Sequence, residues 1–128
     1  MKTHKGHRYV FVDGAYSWND ARSVCYAYGA LAMADNAATF DVLRSMYDQY
    51  IAGSGSAIGV WLDGRLVNDT DIWQCEANKV DCGANMPWSV REPNRLETER
   101  CVLVWYSRTD GVANYDCTKT MPAICEQL

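Results

Sequence analysis

The chain has 128 residues, a formal net charge of −4 and 48% hydrophobic residues. A single domain of this length buries roughly two-thirds of the surface its unfolded chain exposes, so one packed core is expected. Its twelve Lys and Arg residues are scattered rather than striped, which argues against nucleic acid as a partner, and no apolar run approaches the roughly eighteen residues of a membrane span.

The start, Met1 to His7, is basic and polar with no apolar segment behind it. It reads as the mobile lead-in (residues 1–6) of a mature domain that begins at a trimmed or added methionine, and His4 and His7 are given no role. Residues 8–12 form a short aromatic and β-branched strand that Asp13-Gly14 stops. A helix follows, with Ser17 and Asp20 as a capping box and Trp18, Ala21, Cys25 and Tyr28 on one face until Gly29. Asn36 caps a second helix to about residue 51, with Phe40, Leu43, Tyr47 and Tyr50 along its stripe and Gly53-Ser54-Gly55 as the break. Two helices thus precede the main strands. Residues 58–62 and 101–106 are nearly continuous apolar runs, as strands buried on both faces would be, and residues 122–125 suit a closing strand.

Residues 63–100 are polar, rich in Gly, Asn and Asp, and too long for an ordinary connection, which points to a functional loop. Six cysteines at 25, 75, 82, 101, 117 and 125 contain no Cys-x-x-Cys pair, so disulfides account for them better than zinc or redox chemistry does. Counting alone leaves their pairing open. A secreted or extracellular setting follows, and the Asn68-Asp69-Thr70 sequon agrees with it. Within the long loop, Glu92-Pro93-Asn94 and then Glu99 bring carboxylate and amide oxygens together. Calcium takes six to eight such oxygens, so this stretch offers half a calcium site.

The chain resembles the C-type lectin-like domain family from about His7 to Glu126. The residues that carry the likeness are Trp18-Asn19-Asp20-Ala21-Arg22 with Cys25, Gly29-Ala30-Leu31-Ala32, Val60-Trp61-Leu62-Asp63-Gly64 and Trp73. Met86-Pro87-Trp88, Glu92-Pro93-Asn94, Cys101-Val102-Leu103-Val104 and Pro122-Ala123-Ile124-Cys125-Glu126 complete it. The resemblance implies an α+β fold of two helices, small antiparallel sheets and a long loop region, stabilised by disulfides, with residues 1–128 as one carbohydrate-recognition domain. It also implies the pairs Cys25–Cys125 and Cys101–Cys117, leaving Cys75–Cys82 as an extra bridge in the loop. The additional N-terminal hairpin cysteines of longer members are absent, which makes this a short form.

For the loop, the resemblance implies carbohydrate binding through calcium (Ca2+), with Glu-Pro-Asn typical of mannose, N-acetylglucosamine, glucose or fucose. Carried over residue by residue, Glu92, Asn94 and Glu99 are shared ligands of ion and sugar, and Pro93 is expected to be cis in the calcium-bound state. The family's Trp-Asn-Asp element is degenerate here: Val112, Ala113 and Asn114 stand in its place. Ala113 offers no side-chain oxygen, Asn114 coordinates without charge, and Asp116 is a substitute ligand if the strand shifts. Tyr115 is a candidate cover for a pyranose face. Arg95 and Arg100 replace the acidic residues of a second calcium position and argue against one.

Outside this frame Glu92-Pro93-Asn94 reads as an ordinary polar turn, Asn114 and Asp116 as solvated strand-edge residues, and Trp61, Trp73, Trp88 and Trp105 as packing residues. No nucleophile–histidine couple is evident, and Glu97 with Glu99 does not establish a glycosidase pair, so the expectation is a binding protein and not an enzyme. The expected partners are glycans or glycoproteins, with a homo-oligomer as a route to avidity. The competing expectation is a calcium-independent lectin-like scaffold that binds a protein through the long loop and residues 112–116.

Overall fold

A computed structural model describes residues 2–53, 55–68, 70–75, 82–83 and 86–127. Ser54, Asp69 of the sequon and residues 76–81 inside the Cys75–Cys82 excursion lie outside the described residues. β1 (Lys2–His4) pairs antiparallel with β2 (His7–Tyr16), in register from Lys2 against Tyr9 to His4 against His7.

β2 then runs past Asp13-Gly14, taking up the irregularity as a register shift between Val12 and Tyr16 where it pairs with β8 (Met121–Gln127). The turn residues bend the strand without ending it, because β8 supplies partners on both sides of the bulge. Helix α1 (Trp18–Cys25) starts as the capping pattern predicts: the Ser17 hydroxyl accepts from the Asp20 N–H at 3.2 Å. Trp18, Ala21 and Cys25 are buried, whereas Tyr28 lies beyond the helix end and is exposed.

β3 (Gly29–Leu31) adds to one end of β8, and α2 (Ala37–Ala52) follows, capped by the Asn36 side-chain Oδ1 accepting from Thr39 N–H at 2.9 Å. Its buried residues include Phe40, Leu43, Met46 and Tyr47. Met46, and not Tyr50, completes the fully packed stripe.

The strands do not separate into small antiparallel sheets. They join in one path, β1-β2-β8-β4-β6-β7, through β4 (Gly59–Leu66), β6 (Cys101–Trp105) and β7 (Ala113–Tyr115), with β5 (Trp73–Gln74) on β4. The join is a parallel contact between Trp61 and Ala123. Gly64 sits at φ +135° in the shifted stretch of β4, where a Cβ would come within 2.6 Å of Val102 Cγ2. β4 and β6 are buried on both faces, as their continuous apolar runs predict.

Two indoles lock the sheet to α1. Trp61 is fully buried and donates Nε1–H to Tyr16 O at 2.8 Å, while Trp18 donates to Leu62 O at 2.9 Å. Leu31, Leu43, Leu62, Leu103 and Ile124 are also fully buried, each contributing about 1.5–3 kcal/mol relative to exposure. The disulfides are Cys25–Cys125, Cys101–Cys117 and Cys75–Cys82, spanning 100, 16 and 7 positions. Chain entropy gives the two longer bridges about 3 to 5 kcal/mol each, by their loop lengths. Among the described residues no helix is long and apolar enough to cross a membrane.

Candidate functional site

The functional loop reaches its place through a seat on the end of the sheet. Ser89 N–H donates to Val112 O and Val112 N–H to Pro87 O, both at 2.9 Å, forming a short parallel bridge between Trp88 and Val112. Asp110 fastens the same seat with one carboxylate: Oδ1 accepts from the Ser89 hydroxyl at 2.6 Å and Oδ2 from Val90 N–H at 3.1 Å. Those donors hold its carboxyl below the usual aspartate range. Gly111 permits the close approach, since a Cβ there would stand 2.3 Å from Pro87 O. Behind it Trp73 and Trp88 pack at 5.1 Å between ring centroids.

At the other end of the loop, Arg100 donates to Leu96 O, Leu66 O and Asn68 Oδ1 at 3.1–3.2 Å. It therefore braces the loop against β4. Between seat and brace, the Glu92–Pro93 peptide bond is cis, and Arg91 and Arg95 on either side adopt positive φ of 68° and 48°. Such backbone is sparsely populated by non-glycine residues and persists only where its surroundings hold it.

Glu92, Asn94, Glu99, Asn114 and Tyr115 come together around one pocket of ≈ 290 Å3, with Ala113, Trp105, Arg95 and Arg108 in the remaining wall. That volume is at the small end of the roughly 300–1,000 Å3 of small-ligand sites and suits one compact ring. Tyr115 packs on Trp105 with ring centroids 4.6 Å apart, so an aromatic pair forms one side.

Asn114 is buried and its side chain is committed to the loop. Its Oδ1 accepts from Asn94 N–H at 3.0 Å, and its Nδ2 donates to the carbonyls of Asn94 and Glu99. It fixes both ends of the 94–99 turn to β7. Asp116 stands outside the pocket lining, with Oδ1 accepting from Thr118 N–H at 2.9 Å and from the Thr118 hydroxyl at 2.7 Å. Those bonds lower its carboxyl's proton affinity and fix the turn after β7.

Glu92 is the most constrained group. Its side chain is only 5% exposed; Oε1 accepts from Asn94 Nδ2 at 3.2 Å and faces Arg108 Nε at 3.7 Å, while Oε2 is buried with no hydrogen-bond partner. Burial pushes its carboxyl above the ordinary range, against the opposing pull of Arg108. Burial also raises Glu99, with Arg95 opposing and Asp116 adding. Arg108 in the pocket wall, Arg100 as a brace and Asp110 in the seat have placements that sequence patterning does not single out. None lies in a motif; each acts on a partner brought close only by folding.

The donor chemistry fits a hard cation. Two carboxylates and an amide converge, one carboxylate oxygen is buried without a donor, and calcium accepts oxygens of both kinds. Among the described residues no group of three or more His, Cys, Asp or Glu side chains gathers for a metal. An ion here would therefore need amide, water and ligand oxygens besides Glu92 and Glu99.

The Lectin C-type domain model matches residues 14–127. The chain belongs to the C-type lectin domain family. No curated protein matches it in sequence. Among solved structures it is similar to human lithostathine, at 16% identity and a TM-score of 0.82, covering 98% of this chain and 95% of that one. It is also similar to SPL-1 solved with GlcNAc, at 18% identity and TM-score 0.78, covering 98% and 90% of the two chains. The Ca2+-independent C-type lectin SPL-2 from Saxidomus purpuratus follows at 17% identity and TM-score 0.77, covering 98% and 88%. At these identities the likeness establishes the lectin-type α+β fold alone, while ligand and metal are separate questions.

Proposed function

We propose that this domain is an extracellular carbohydrate-recognition domain that binds mannose-type sugars, namely mannose, N-acetylglucosamine, glucose or fucose, with calcium as co-ligand. The observation that carries the reading is the buried, partnerless Oε2 of Glu92 beside Asn94 and Glu99 in one ring-sized pocket. Glu92, Asn94 and Glu99 would hold the ion, which when bound offers vicinal hydroxyls a centre for their lone pairs. Glu92 and Glu99 accept hydroxyl protons, the Asn94 amide donates to a hydroxyl oxygen, and Tyr115 covers a ring face. Asn114 keeps the 94–99 turn at the distance this needs. SPL-1, which shares the fold, is solved with GlcNAc, a sugar within the proposed set. The activity is binding without catalysis.

Monosaccharide affinity is expected in the millimolar range, about −4 kcal/mol, so glycans and glycoproteins would be held through several sites or an oligomer. Calorimetric titration of mannose in calcium and in chelator tests the reading. Heat in calcium that chelator removes is the expected result; no heat in either buffer, or equal heat in both, overturns it. One observation favours a second reading, a calcium-independent scaffold that binds a protein through the long loop and residues 112–116. Arg95 and Arg108 already place two cations on the pocket wall, and Asn114 is spent on backbone. Under that reading calcium leaves the thermal midpoint unchanged.

A further inference from the structure

We propose that Arg108 is a built-in cation that holds Glu92 while the pocket is free of metal and has to swing away before calcium enters. The inference rests on the calcium reading of this pocket and assigns a regulating residue to it. Arg108 Nε stands 3.7 Å from Glu92 Oε1, inside ion-pair range and too far for a hydrogen bond, and this Nε is itself buried with no hydrogen-bond partner. The pair is held chiefly by charge, at a distance beyond an ordinary hydrogen bond. A guanidinium that made two directional bonds to the carboxylate would be hard to dislodge; this one makes none to it.

The two partners differ in freedom. Glu92 is 5% exposed at its side chain and cannot leave the wall, whereas the Arg108 side chain is 43% exposed and has open solvent to move into. The Arg108 backbone is fixed, its N–H donating to Trp105 O at 3.0 Å and its carbonyl accepting from Arg44 at 3.2 Å. Only the side chain moves. A divalent ion on Glu92 would meet the guanidinium at a few ångströms in a part-buried site, where like charges repel strongly. Calcium therefore competes with Arg108 for one carboxylate, and the ion's apparent affinity includes the work of displacing it.

Calcium titration of wild type, Arg108→Gln and Arg108→Lys, followed by calorimetry and by the thermal midpoint, tests this. Arg108→Gln is expected to bind calcium about tenfold or more tighter than wild type, and Arg108→Lys to stay within about threefold of it. Equal affinity of wild type and Arg108→Gln overturns the proposal, as does Arg108→Lys matching the Gln variant, or calcium binding to neither wild type nor Arg108→Gln. Mannose titration of the same proteins separates this inference from the sugar reading. Mannose binding with no calcium response in any variant sinks both the Arg108 displacement and calcium's part as co-ligand, leaving sugar contact alone; a calcium gain in Arg108→Gln with no mannose binding keeps the displacement and sinks the sugar reading.

Discussion

The indole-locked frame and the 86–100 loop of this domain are held by different physics. In the frame, Trp61, Leu62, Leu103 and Ile124 are fully buried, Cys25–Cys125 joins residues 100 positions apart, and each strand of the centre is paired on both sides. The loop from 86 to 100 depends on a few polar anchors: the Asp110 carboxylate, the Asn114 amide and the Arg100 guanidinium. Apolar burial is spread over many contacts and fails together. Polar anchors fail one at a time, so the pocket can be altered while the frame stands.

The largest effect is expected in the frame. Trp61→Ala removes a fully buried indole and its bond to Tyr16 O, and should cost about 3–5 kcal/mol in urea unfolding, with the loop lost along with everything else. Asn114→Ala attacks the loop alone. It strips three bonds from the 94–99 turn and should cost about 1–3 kcal/mol, read as faster hydrogen exchange at the amides of Asn94 and Glu99 with core strands unchanged. If the core amides accelerated equally, loop and frame would be one cooperative unit and the contrast would dissolve.

The smallest effect is a pH dependence at the seat. The Ser89 hydroxyl and Val90 N–H favour ionised Asp110, so its folded-state proton affinity lies below the unfolded one. Its contribution is present above the unfolded value of about 3.9 and is lost as pH falls through the folded value. Asp110→Asn should therefore be less stable than wild type near neutrality, with the gap closing below about pH 4 in thermal melts. A gap that stayed constant down to pH 2 would mean that the carboxylate's charge is not what fastens the seat.

Much of the frame was legible because burial is written locally. The Trp18, Ala21, Cys25 spacing, the Asn36 cap and the apolar runs of β4 and β6 each state their partner face within a few residues. The sheet's unity was not legible, since the Trp61–Ala123 contact joins strands far apart in sequence. In the pocket, Glu92 and Asn94 are adjacent enough to be read together. Asn114 is placed at the site through the family resemblance but as a ligand, and Arg108 not at all, because an amide becomes a staple and a guanidinium a counter-ion only when a distant backbone or carboxylate is folded against them. Asp116 carried a local sign, as Asp-Cys-Thr permits its carboxylate to close onto Thr118 two residues on.

Arg44 on α2 donates to the carbonyls of Trp105, Arg108 and Tyr106 at 2.9, 3.2 and 3.1 Å. Two of those three residues form the pocket's aromatic and cationic wall. The position of that wall is therefore set by a helix whose own side chains do not line the cavity. Substitutions in α2 that shift Arg44 by a fraction of an ångström would move that wall with every lining residue unchanged, and substitutions confined to the 86–100 loop would not reveal the dependence.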